Sequence, residues 1–263
     1  MNTLKGKKVV LTGGNRGIGR SIALSFAKAG ADVFLTYCTD ENSAQTVANE
    51  IEAHQVAVKT IQVDLSCAED RQRLLIESYA FFGDVDILVN NAGIATRRPF
   101  IELSQEEINK VVEINFLAPC FLMQLFAKRM VQQQTQRNEH KDYCIVNISS
   151  ISRNVITPGI SHYEASKAAL NQITKSAAIE LAEYKIRVND VAPGLIPTEI
   201  NREQWETHSP LWQNRIAAIP LQRSGKPEEI ADAVLFLAGN SWITVTTITV
   251  DGGRSCNWSG SER

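Results

Sequence analysis

Val9-Val10-Leu11-Thr12-Gly13-Gly14-Asn15-Arg16-Gly17-Ile18-Gly19, running on into a helical pattern over 17–29, decides the fold. An apolar run that stops at clustered glycines and resumes as a helix is a strand, a tight turn and a helix, the opening of a βαβ unit. Glycines there let the chain bend sharply and let a diphosphate approach the amides at the helix N-terminus. The spacing is not G-x-G-x-x-G, so taken alone the turn reads either as a nucleotide cradle or as a plain tight turn.

The alternation continues along the chain. Apolar runs at 9–12, 33–37, 57–63, 87–90, 144–149, 187–192 and 247–250 predict strands, and amphipathic stretches at 17–29, 43–54, 68–82, 104–130, 161–182 and 227–238 predict helices. Seven strands alternating with six helices predict an α/β fold, a doubly wound, seven-stranded parallel sheet with helices on both faces. No linker or repeat divides it, so residues 1–263 are expected to form a single domain. Two stretches break the rhythm. QQQTQRNEHKD at 132–142 reads as a solvated loop or helix extension. The segment at about 195–221, with Trp205, His208, Trp212 and three prolines, follows a strand's C-terminal end, where open α/β sheets bind ligands, and is expected to be a substrate lid.

Composition narrows the function. Twenty-seven Lys and Arg against 29 Asp and Glu leave a charge of -2, with no broad basic field for nucleic acid or an anionic membrane. Small molecules and further protein subunits are the expected partners. Five cysteines (Cys38, Cys67, Cys120, Cys144, Cys256) form no C-x-x-C pair, as expected of reduced thiols in the cytoplasm. The run at 9–11 is too short for a signal-peptide core, and no uninterrupted apolar run approaches the 18 residues of a membrane span.

Further motifs sit at strand ends and on a helix. Asn90-Asn91-Ala92-Gly93 follows the fourth strand, where small residues and amides suit either a packed cofactor or an ordinary turn. In Tyr163-Glu164-Ala165-Ser166-Lys167 the phenol and ammonium lie one helical turn apart, so Lys167 is expected to favour the phenolate and bring Tyr163 nearer neutrality as a general acid and base. Ser150 stands 13 residues before Tyr163, just past a predicted strand, placed to hydrogen-bond the same substrate oxygen.

Together these pieces resemble the short-chain dehydrogenase/reductase family from Gly6 to Gly253. Its T-G-x-x-x-G-x-G appears at Thr12 to Gly19, its N-N-A-G at Asn90 to Gly93, its serine at Ser150 and its Y-x-x-x-K at Tyr163 and Lys167. Asn115 matches its helix asparagine, Pro193-Gly194 and Thr198 its P-G segment, and Val250-Asp251-Gly252-Gly253 its C-terminal signature. The resemblance implies a single-domain Rossmann fold that transfers a hydride between a nicotinamide and a carbonyl or alcohol carbon, without a metal and within EC 1.1.1.-. Tyr163 would exchange the proton, Ser150 hold the substrate oxygen, Lys167 bind the nicotinamide ribose, and Asn115 support a relay water. The implied cofactor-binding residues are Gly13, Asn15, Arg16, Gly17, Ile18, Gly19, Tyr37, Asp64, Leu65, Asn91, Ala92, Gly93, Tyr163, Lys167, Pro193, Gly194 and Thr198. Ser149 competes with Ser150.

No carboxylate falls at Tyr37-Cys38, where one would bind a ribose 2'-OH, while Arg16 is placed to pair with a 2'-phosphate. NADP(H) is therefore expected over NAD(H), with Asp40 and Glu41 close behind as rivals. The lid and tail are similar to glucose 1-dehydrogenase-like members, which implies a sugar or other small polar substrate. The alternative is a 3-oxoacyl-[acyl-carrier-protein] reductase. A non-catalytic dinucleotide sensor is a third reading, but it would have little need of Ser150, Tyr163 and Lys167 together. Trp205 and Trp212 read as lid packing more readily than as a platform for a sugar ring. Surplus apolar positions, among them Phe116, Leu117, Phe121 and Leu125, together with the resemblance imply a homotetramer. Val245, where the family usually has glycine, and Asp190, where a small or neutral residue is usual, depart from the pattern.

Overall fold

The computed structural model describes residues 4–137 and 141–256. Seven strands form one parallel sheet in the order β3-β2-β1-β4-β5-β6-β7: Lys8–Leu11 (β1), Asp32–Tyr37 (β2), Val58–Gln62 (β3), Ile87–Asn90 (β4), Tyr143–Ile148 (β5), Ile186–Pro193 (β6) and Thr247–Val250 (β7). β1 lies inside the sheet, next to the central β4, and Leu11 pairs with Leu35 on one side and Val89 on the other.

Strand periodicity sends successive side chains to opposite faces, and both faces are covered. Val9, Leu11, Val33, Leu35 and Val146 pack under Gly17–Lys28 (α1), Glu41–Glu52 (α2) and Pro227–Gly239 (α9), where Ile22, Phe26, Val47, Ile51 and Val234 are fully or almost fully buried. Val10, Phe34, Leu88, Ile145 and Val188 face the other way, toward Leu74 of Ala68–Phe82 (α3) and Leu122 and Phe126 of Ala118–Arg137 (α5). Each such side chain contributes about 1.5–3 kcal/mol by leaving water.

The predicted helix over 104–130 is longer and is interrupted. Gln105–Val112 (α4) starts at a capping box between Ser104 and Glu107, passes through a wide turn at Glu113–Leu117, and continues as α5. Part of the 132–142 stretch is this extension, and it is not fully solvated: Gln133 and Gln134 are buried, their amides donating to the carbonyls of Gly83 at 3.0 Å and Tyr184 at 2.7 Å. Residues 138–140 lie outside the described residues, as does the tail at 257–263. Although no unbroken apolar run exists, the helical run Gln105–Arg137 contains an 18-residue window of mean hydropathy 1.4. By length and composition it is apolar enough to cross a bilayer, but 44% of that window is buried inside the fold.

The expected lid at 195–221 contains two helices, Arg202–Glu206 (α7) and Pro210–Ala217 (α8). Ser209 caps α8 by accepting the Trp212 amide at 3.2 Å, and Pro210 sits in its first turn. Ser161–Leu181 (α6) packs against β6. Just before β7, Val245 adopts φ +63°, a left-handed conformation costly for a β-branched residue, and its amide donates to Val188 at 3.0 Å.

Candidate active site

The C-terminal strand ends open onto a cleft of about 410 Å³ at the point where strand order reverses between β1 and β4. Gly13, Asn15, Arg16, Gly17, Ile18 and Gly19 form one wall. A Cβ on Gly19 would stand 2.0 Å from the Gly13 carbonyl oxygen, so no side chain fits there. α1 leaves this turn with no side-chain cap and no acidic residue of its own in the first turn, so its N-terminal end borders the cleft, with the Glu199 carboxylate beside Gly17. Asn91 locks the turn to β4. Its Nδ2 donates to the Thr12 and Gly13 carbonyls at 3.1 and 2.9 Å, while Thr12 Oγ1 accepts the Asn91 and Ala92 amides at 3.0 and 3.1 Å. Closely packed glycines beside a helix N-terminus fit the diphosphate of a dinucleotide.

Tyr37 at the end of β2 and Asp64 and Leu65 after β3 extend this wall, and Gly93, Pro193, Gly194 and Thr198 also line the cleft. The Asp64 carboxylate accepts the Ser66 amide and hydroxyl at 2.9 and 2.7 Å. Asp40 is off the wall. It caps α2, accepting the Ser43 amide at 2.9 Å and hydroxyl at 2.5 Å, and these bonds hold its pKa below the ordinary carboxylate value. Burial, then the Glu41 carboxylate, raises the Tyr37 phenol above its ordinary value. Arg16 is the cationic side chain that this end of the cleft presents near β2.

Ser150, Tyr163 and Lys167 meet in the depth of the cleft. Ser150 and Tyr163 line the same part of the cleft, where the Ser150 hydroxyl acts on the phenol, and Ser150 Oγ accepts the Ser152 amide at 3.1 Å. Ser149, the rival serine, donates its hydroxyl to Asp190 at 2.6 Å, and it is Ser150 whose hydroxyl acts on Tyr163. Lys167 is buried, donates to the Ile148 carbonyl at 2.9 Å and lies 5.9 Å from the Tyr163 ring centroid.

The electrostatics differ from the expectation that Lys167 draws Tyr163 toward neutrality. Burial raises the Tyr163 phenol above its ordinary value, opposed by the nearby Ser150 hydroxyl and by the charge of Arg215. Burial also lowers Lys167 to about 8, opposed by Asp190, so the ammonium is itself close to losing its proton. Asn115 does not line the cleft. Fully buried in the wide turn between α4 and α5, it donates to the Ile94 carbonyl at 2.8 Å and accepts the Ile94 amide at 2.9 Å, strapping the loop after β4.

Residues that the sequence reading did not single out complete the wall: Thr96, Arg97, Ser152, Gln204 and Arg215. Of the lid tryptophans, Trp212 is buried and Trp205 donates to the Thr198 carbonyl at 3.2 Å, and neither lines the cleft. They pack the segment rather than offering a face to a sugar.

A parallel sheet with a dinucleotide cradle at its switch point and a Ser-Tyr-Lys cluster beyond it defines a nicotinamide-dependent oxidoreductase. The chain belongs to the short-chain dehydrogenase/reductase family, and the family model described as enoyl-(acyl carrier protein) reductase matches residues 13–255. It is 35% identical over 260 residues to an L-rhamnose 1-dehydrogenase (NADP(+)) of Thermoplasma acidophilum, covering 98% of this chain and 99% of that protein. Identity to a 3-oxoacyl-[acyl-carrier-protein] reductase of Staphylococcus aureus is also 35%, over 249 residues, with 94% and 97% covered. The solved structure of an acetoin dehydrogenase from Enterobacter cloacae is similar at a TM-score of 0.85 and 34% identity, with 96% of this chain and 97% of that chain covered.

Proposed function

We propose that the protein is a dehydrogenase or reductase of EC 1.1.1.- type that uses NADP(H) in preference to NAD(H) and acts on a small polar alcohol or carbonyl compound, glucose 1-dehydrogenase-like. The observation that carries this reading is the convergence of Ser150 and Tyr163 on one cleft beside a buried Lys167, with a glycine cradle as the cleft's other arm. The nicotinamide, when bound, supplies or accepts the hydride. Gly13 to Gly19 and Thr198 hold the diphosphate, Asp64 and Leu65 the adenine, Arg16 the 2'-phosphate and Lys167 the nicotinamide ribose. Tyr163 gives its proton to the substrate oxygen or takes it back, and Ser150 holds that oxygen. Asn115 acts by fixing the Ile94 loop beside Lys167. Residues 1–263 act as a single domain with 195–221 as its lid.

A tetramer in the cytoplasm completes the reading. Its support is the apolar groove between α5 and α6, lined by Cys120, Met123, Ala127, Val131, Ile173 and Leu181, beside the exposed Ile179. All five cysteines are free, which fits a reducing compartment. Sugars, polyols and acyl thioesters assayed with both nicotinamides test the activity. Turnover of acyl thioesters alone would favour the acyl-carrier reductase reading, and absence of turnover with every class would overturn the enzyme reading. Light scattering during gel filtration tests the assembly, and an active species of 29.1 kDa would refute the tetramer.

A further inference from the structure

Beyond Ser150 and Tyr163 the cleft carries positive charge without a partner. Arg97, on the loop after β4, and Arg215, on α8, both line it. Arg97 is anchored by donating Nη1 to the Pro158 carbonyl at 2.6 Å, and the Arg98 amide donates to Gly159 at 2.8 Å, tying this loop to the approach to α6. Arg215 donates Nη1 to Gln204 Oε1 at 3.1 Å, so a neutral amide orients it. Among the described residues, Arg97, Arg215 and Arg254 have no carboxylate within ion-pair distance.

The carboxylates on the cleft wall are employed elsewhere. Asp64 lies after β3 and binds Ser66, and Glu199 pairs with Arg202 at 2.6 Å. Glu164, on the same helix as Tyr163, accepts the Thr157 amide at 2.5 Å. Burial, then the charges of Arg97 and Arg254, push the Arg215 pKa down, and Arg215 in turn acts on Tyr163. Arg215 is half-buried and Arg97 is exposed at the cleft wall; a half-buried guanidinium repelled by neighbouring guanidinium groups is unfavourable unless a ligand anion joins them. Their planar donor forks suit a carboxylate or a phosphate ester. A neutral substrate would cover Arg215 and leave it desolvated and unpaired.

We propose that the substrate is a small hydroxy or carbonyl compound bearing an oxyanion, a carboxylate or a phosphate ester, which Arg215 and Arg97 bind on the cleft wall beside Tyr163 with Arg254 nearby. This rests on the reading of Ser150 and Tyr163 as the reacting end of the cleft. The anion sits close to the reacting carbon, so it selects the substrate and fixes which hydroxyl or carbonyl reaches Tyr163.

The test is titration calorimetry and turnover on the NADP+-loaded protein with matched pairs at equal ionic strength: glycerol and glycerate, galactose and galacturonate, glucose and glucose 6-phosphate. Anionic members should bind about 10- to 100-fold more tightly than their neutral analogues, and the uronate and phosphate arms distinguish the two oxyanions. Arg215→Gln and, independently, Arg97→Gln should erase most of that preference while leaving the Kd for NADP+ within about twofold. Should neutral members bind as well as the acids, the inference falls while the oxidoreductase reading stands on their turnover. Selective binding of the acids without turnover of any pair would uphold the anion site and refute the oxidoreductase reading. An Arg215→Gln protein that loses NADP+ instead would assign that guanidinium to the cofactor and overturn the inference.

Discussion

Replacing Arg16 by alanine should change the choice of cofactor more than the chemistry. Arg16 is an exposed residue of the glycine turn, and its charge reaches both Cys38 and Asp40 at the end of β2. The carboxylates at that end are engaged by neighbouring amides and hydroxyls, Asp40 by Ser43 and Asp64 by Ser66. A charge-assisted hydrogen bond contributes about 1.5–3 kcal/mol when sheltered. Discounted for exposure and salt screening to about 1–2 kcal/mol, it amounts to a 5- to 30-fold preference. Arg16→Ala should therefore lower kcat/KM for NADP+ by about that factor and leave NAD+ within about twofold, with Arg16→Lys intermediate. Cys38→Asp should add the missing repulsion and lower NADP+ by about 10-fold or more. Initial rates at about 50 and 300 mM salt measure this, with the Arg16 effect smaller at high salt, the two concentrations spanning about a 2.4-fold change in Debye length. Equal losses for NAD+ and NADP+ would mean that Arg16 shapes the turn without reading the phosphate.

The other predictions concern buried groups. Gly19→Ala forces a methyl group onto the Gly13 carbonyl, and should cost about 3 kcal/mol or more and abolish cofactor binding, as read by urea melts and NADPH fluorescence. A wild-type melt would contradict that packing. Asp190 is wholly buried, with Oδ2 accepting from Ser149 and Asn171 and Oδ1 unpaired, and burial raises its pKa. A carboxyl raised on folding contributes stability that is present below its unfolded pKa and lost as pH rises through the folded value. Asp190→Asn should therefore gain about 1–3 kcal/mol over the parent at pH 8, a gain that shrinks toward pH ~4, and a pH-independent difference would refute this. Lys167 loses its proton as pH rises through about 8, so the affinity of the free protein for NADP+ should fall above that pH. Lys167→Met should flatten this dependence, and an unchanged slope would remove Lys167 from the cofactor.

The sheet was legible because its signals are local. The strands at 87–90 and 247–250 and the helix at 68–82 begin and end where periodicity and flanking glycine or polar residues place them. α7 and α8 were not read as helices, although Ser209-Pro210 is a helix start, because short helices of mixed polarity leave no apolar stripe. The wide turn around Asn115 continues the apolar pattern of its neighbours, so periodicity gives no sign of it. In the site, the spacing of Ser150, Tyr163 and Lys167 told which groups meet but not their protonation, which depends on how deeply the finished fold buries them. Arg97 and Arg215 come from distant segments that only the fold brings to one wall, and neither sits in a local pattern.

The central claim is that the Tyr163 hydroxyl exchanges the proton of a hydride-transfer reaction. Tyr163→Phe keeps the ring and removes only that hydroxyl, so single-turnover rates and the NADPH Kd, measured on the same preparation, test it most directly. The account predicts a rate lower by about 10²–10⁴ with the Kd within about twofold of the parent, and a near-normal rate would contradict it.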